Sequence, residues 1–119
     1  MKLKIYGWEH KTFSDMYDVH FLPTVREQMI RALAAHFQIT LRDIEFVNQR
    51  NGMSYSRQAR IKLPRKGCPV GLAVHELAHL YDWQKNGKDG HRKTFRKALI
   101  KLMVETKYEL PRISKCIST

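Results

Sequence analysis

Thiols are scarce in this chain: Cys68 and Cys116 are the two it has. They are too few for a disulfide scaffold or a four-thiolate zinc ribbon, and their only possible pairing would close a long loop, so both are expected to be reduced. Long apolar runs are missing too. The most apolar stretch, Val70 to Leu80, carries His75, Glu76 and His79 in its middle, which excludes a membrane span. Met1 to His10 holds two lysines with no apolar stretch behind them and does not read as a signal peptide. Repeats, low-complexity blocks and a Pro/Gly/Ser-rich linker are absent as well, so residues 1–119 are expected to form a single domain, cytoplasmic and monomeric. Acidic residues are outnumbered, eleven against twenty-two Lys and Arg, and the formal charge of +11 points to polyanionic partners.

What is present suffices for one core. Hydrophobic residues make up 43% of 119, and a chain of this size buries roughly two thirds of the surface its unfolded form exposes. Leu3 and Ile5 alternate with Lys2 and Lys4 as a short strand would, and Gly7 to Asp18 has no period. Thr24 and Glu27 form a capping-box pattern ahead of Val25, Met29, Leu33 and Phe37, which predicts an amphipathic helix from Thr24 to about Phe37. Asp43 to Gln49, the turn dipeptide Asn51-Gly52 and Met53 to Leu63 predict a β-hairpin that Pro64 and Gly67 end. Val70, Ala73, Val74, Leu77 and Tyr81 recur at helical steps between Pro69 and the stop at Asn86-Gly87. Phe95, Ala98, Leu99, Leu102 and Met103 do the same in a last helix from about His91 to Glu105, with Asp89 as a cap and a loose tail from Pro111. The sum is an α+β layout, a small antiparallel sheet with helices on one face.

His75-Glu76-Leu77-Ala78-His79 is an H-E-x-x-H pattern inside the helix predicted between Pro69 and Asn86-Gly87. Four residues turn 400° and rise about 6 Å, so both imidazoles leave the same face, one turn apart, within reach of one Zn2+ ion. Glu76 lies about 100° further round, poorly placed as a ligand but well placed to take a proton from water. Ordinary packing explains the pattern less well, because two histidines and a glutamate among Leu, Ala and Val would bring polar atoms to the core margin without evident partners. Hydrolytic zinc needs a third protein ligand. Gly and His at positions 82 and 85 would mark the metzincin arrangement, but those residues are Asp82 and Lys85. His91 is the best candidate: the helix climbs roughly 9 Å beyond His79, and the segment from Asn86 to His91 extends to about 20 Å, enough to fold back. Gly87 and Gly90 permit the reversal, and Asp82, Asp89 and Glu105 are rivals.

His75-Glu76-Leu77-Ala78-His79, followed after ten residues by Gly90-His91-Arg92-Lys93-Thr94-Phe95, resembles the SprT-like (Spartan-type) zinc metallopeptidases, whose metal site ends in G-H-G-x-x-F. The resemblance covers about Thr24 to Met103, and Arg92 departs from it where the family usually has Gly. It implies a zincin-like metal helix and a metalloendopeptidase of minimal viral or bacterial type, placed in a bacterial or virus-infected cell. His75, His79 and His91 would hold zinc and Glu76 would be the general base. The family's best-known members cleave proteins bound or crosslinked to DNA, so a polypeptide substrate and single-stranded or duplex DNA are the implied partners.

The charge pattern adds an independent reason to expect nucleic acid. Arg57, Arg60, Lys62, Arg65 and Lys66 precede the metal helix, and Lys85, Lys88, Arg92, Lys93, Arg96, Lys97 and Lys101 follow it. A solvated helix face explains such cations equally well. Tyr55, Tyr108 and His36 are candidates for holding a transition-state oxyanion, though packing or surface roles suit them better. Trp83 could line a cleft, Asp82 could orient a ligand imidazole, and the strand ending at Leu63 could accept an extended peptide along its edge. The alternative to a peptidase is a nucleic-acid-binding module in which a structural or degenerate zinc site pins the fold.

Overall fold

A computed structural model of the chain describes residues 2–118, with side chains for residues 7–112. The elements in order are α1 (Lys2–Thr12), α2 (Ser14–Asp18), α3 (Arg26–His36), β1 (Asp43–Val47), β2 (Met53–Tyr55), β3 (Arg60–Pro64), α4 (Val70–Asn86) and α5 (Lys93–Ser118). The fold is α+β, a three-stranded mixed sheet packed against helices.

Helix α4 runs through the centre. Pro69, with φ −63°, precedes its first turn and lacks only an N–H that the helix could not use. Gly87 ends it in the left-handed region at φ 65°, its N–H returning to the Trp83 carbonyl. Val70, Ala73, Val74, Leu77, Ala78 and Leu80 are buried, as are His75, Glu76, His79 and Asp82, so this helix is covered almost all round and lies inside the protein. Phe95, Leu99, Leu102 and Met103 on α5 close over it, as the sequence spacing predicts, and Ile30, Leu33 and Ala34 of α3 join the same core through their packing on α5.

The sheet differs from the predicted hairpin. Its order is β1-β3-β2, with β1 parallel to β3 and β2 antiparallel to it. The chain therefore crosses over at Asn48–Gly52, and the true reversal is a 3-10 turn at Ser56–Gln58 closed by Ala59 at φ 53°. Ala59 pays about 1–2 kcal/mol for that conformation, and no Gly or Pro marks the spot. Ile61 and Leu63 are buried, which suits β3 to the middle, where both edges find backbone partners. β3 is thus no free edge for a peptide, and β2 is.

Three other expectations fail for physical reasons. Residues 2–12 are helical, since no sheet edge lies beside them to reward a strand. Thr24 does not cap α3: Val25 is the N-cap without a side-chain bond, and Glu27 pairs at 3.1 Å with Arg31, whose guanidinium also donates to the Leu41 and Arg42 carbonyls. The last helix starts at Lys93, beyond His91 and Asp89, and passes through Pro111 to Ser118, so the tail expected to be loose is helical over 111–118, with Thr119 outside the described residues. Cys68 is buried as a free thiol, while the Cys116 side chain lies outside the described set. No described helix is long and apolar enough to cross a membrane.

Leu77→Ala opens a cavity at a side chain with no exposure, and the expected loss is about 3–5 kcal/mol, read as a lower urea midpoint with an unchanged slope.

Candidate metal centre

α4 presents His75 and His79 one turn apart, both buried. The loop after the helix reverses through Gly87 and through Gly90 at φ 88° and brings His91 back over them. His91 Nε2 lies 3.2 Å from His79 Nε2 and 3.3 Å from His75 Nε2. Those separations match the edge of a tetrahedron with metal–nitrogen bonds of about 2.0 Å, which is about 3.3 Å. The three donor atoms all lie within 4.8 Å of one another, so the triad could hold a metal ion. Imidazole suits zinc, copper, nickel and cobalt, and the geometry alone does not choose among them.

Phe95 forms the floor. Its ring stacks on His79 at 4.2 Å and meets His75 and His91 at 5.1 and 5.0 Å, fixing three rotamers with one apolar side chain. The loop is pinned by Asp82, which accepts hydrogen bonds from Asn86 (2.9 Å) and from Thr94 (3.1 Å). Asp82 therefore ties the end of α4 to the first turn of α5 and does not orient an imidazole. Glu105 pairs with His36 and Lys101, each at 3.7 Å, and Asp89 accepts from the Gly90 N–H, so neither rival joins the triad.

Glu76 is buried on the side of α4 facing β2, where the Ser54 hydroxyl donates to its carboxylate. Gly52 is needed there because of space rather than turn geometry. A Cβ at that position would sit 2.9 Å from Glu76 Cγ and Oε2.

Sequence reasoning missed Glu9. Fully buried on α1, it meets His75 Nδ1 at 2.6 Å through Oε1 and 3.0 Å through Oε2, and the Tyr17 hydroxyl donates to Oε2. The usable signal was the need itself: a histidine that offers Nε2 to a metal wants an acceptor on Nδ1, but one chain with eleven acids does not say which. Tyr108 is largely exposed, and Tyr55 donates to the Met53 sulfur at 3.5 Å. Trp83 is half-buried in a groove of about 470 Å³ with Thr40, Arg42, Ser56, Arg57 and Gln84, the Arg57 guanidinium lying 5.2 Å from its ring.

Burial sets the charge state. It pushes His75 down to about 4 and His79 to about 3, so both imidazoles are neutral and keep lone pairs for a cation. It pushes Glu76 and Glu9 up to about 8. A bound cation would reverse that preference and favour the carboxylates. No family model, curated protein or solved structure matches this chain.

The raised Glu76 pKa fixes a sign. Between pH 4.5 and about 8 the unfolded chain has released a proton that the folded one keeps, so this group's contribution to stability is present at low pH and lost as pH rises. In metal-free protein, Glu76→Gln should gain melting temperature relative to wild type across that window and hold the gain above it. A gap independent of pH would show that Glu76 is ionised when folded.

Proposed function

We propose that the chain is a zinc-dependent endopeptidase of the SprT-like kind. The observation that carries this reading is the convergence of three Nε2 atoms 3.2 and 3.3 Å apart, with a buried carboxyl on the next residue of the same helix. His75, His79 and His91 hold the ion. A zinc ion bound there supplies Lewis acidity toward water and toward an amide carbonyl. Glu76 is the general base, taking a proton from the attacking water at its carboxyl and passing it to the departing amine. Gly52 and Ser54 keep that carboxyl in place from the sheet side. β2 is an edge strand beside the helix, and its outer backbone groups suit an extended polypeptide laid along it. This favours a protein substrate over a small molecule.

Elemental analysis and a self-cleavage assay test the reading together. Wild type and Glu76→Gln should each carry one zinc, with turnover down roughly 10²–10⁴-fold in the variant, while His91→Ala loses the metal. Gly52→Ala should retain zinc and lose most turnover, since its methyl group displaces the carboxyl. Zinc retained in His91→Ala would remove His91 from the site, and equal turnover in Glu76→Gln would remove the base.

A nucleic-acid partner has its own support. Arg57 covers Trp83, and Arg60 and Lys62 each lie 5.5 Å from the Tyr55 ring, so cations and aromatic rings alternate around the turn that follows β2. Oligo-dT should quench tryptophan fluorescence in wild type but not in Trp83→Phe, with an affinity that falls as salt rises. Equal binding of polyglutamate would mean simple charge attraction.

A further inference from the structure

Helices α1 and α2 lie outside the part of the chain that carries the metal-site motif, yet they deliver a carboxylate to it. We propose that Glu9 is the positioning residue of His75, and that the N-terminal helix pair is therefore a working part of the metal centre whose docking and metal occupancy reinforce each other. The proposal rests on the metal-site reading above.

A carboxylate with no exposure is costly unless both oxygens are served. Here they are: Oε1 takes the His75 Nδ1 contact at 2.6 Å, and Oε2 takes the Tyr17 hydroxyl. A proton on Nδ1 leaves Nε2 with its lone pair, and Nε2 is the atom that faces His91 at 3.3 Å. An ordinary buried ion pair would account for the Glu9 contact alone. It would not account for the other nitrogen of the same ring lying at the meeting point of two further imidazoles. The carboxylate thus fixes both the tautomer and the rotation of His75.

Tyr17 connects this chain of contacts to the backbone. Its ring lies against Gly71 on α4, where a Cβ would come within 2.7 Å of Cε2, and the His10 ring stacks on it at 4.0 Å. The segment is further fastened by the Val70 N–H to the Val19 carbonyl at 2.8 Å, the Phe21 N–H to the Cys68 carbonyl at 3.1 Å, and Lys107 to Asp15 at 2.9 Å. Glu9, Tyr17 and Gly71 therefore form one assembly resting on the first turns of the metal helix. Whatever favours a metal on His75 favours the docked segment by the same factor, because the coupling is reciprocal.

The test uses the full chain, zinc competition titration and cobalt as a spectroscopic probe. Glu9→Ala should weaken zinc about 10–100-fold and alter the visible absorption of the cobalt form. Glu9→Gln keeps an acceptor without the charge and should fall between Ala and wild type, a ranking that packing alone does not give. Gly71→Ala, which touches no ligand, should weaken zinc in the same direction by displacing Tyr17. Zinc should slow amide exchange over residues 8–13 in wild type and fail to do so in saturated Glu9→Ala. Wild-type zinc affinity and an unchanged cobalt spectrum in Glu9→Ala would overturn the proposal while leaving the metal site intact. A wild-type protein that takes up no metal would overturn both.

Discussion

The structure depends on how α4 carries charged chemistry into an apolar interior. His75, Glu76, His79 and Asp82 all leave this one helix into buried surroundings. Leaving any of them unserved would cost on the order of 1–3 kcal/mol or more, a large share of the stability of a small domain. Each neighbouring element answers one of these demands. α1 brings Glu9 to His75, β2 brings Ser54 to Glu76, the glycine-hinged loop brings His91 to both histidines, and Thr94 of α5 meets Asp82. The architecture around the helix can be read as the set of partners its polar residues require.

These demands also explain why apolar contacts alone do not describe the core. Leu77, Leu80 and Leu99 are fully buried, but non-directional apolar contacts of this kind tolerate a small rotation of the helix. Buried hydrogen bonds are less tolerant, because a rotation that exposes one polar group strands another. Phe95 links the two kinds of constraint: it fills the core and presses on all three imidazoles.

Legibility in the sequence followed the range of the interaction. The metal helix, its start at Pro69 and stop at Gly87, and the meeting of His75, His79 and His91 were readable because helical spacing and glycine chemistry are local. The three-strand order was not. Asn51-Gly52 looks like a tight turn, yet its glycine is there to leave room for Glu76, a side chain twenty-four positions away. Ala59 turns the chain with no residue type to announce it. The strand pattern at Leu3 and Ile5 covered too few residues to weigh against a helix that reaches His75 through Glu9. Contacts that join distant parts of a chain leave no spacing to read.

The same burial bears on the surface. Glu9, Glu76 and Asp82 are three of the eleven acidic residues, and all three are inside. The exterior is therefore more one-sidedly cationic than the composition implies, while the centre it surrounds keeps the His75 and His79 imidazoles neutral. A field of that sign draws polyanions toward the molecule and disfavours approach of a free divalent cation. Metal uptake would then rest on three converging nitrogens at short range, held in place before any ion arrives. Preorganisation by Phe95, Asp82 and Glu9 is what would let so basic a protein hold a cation at the triad, against its own long-range field.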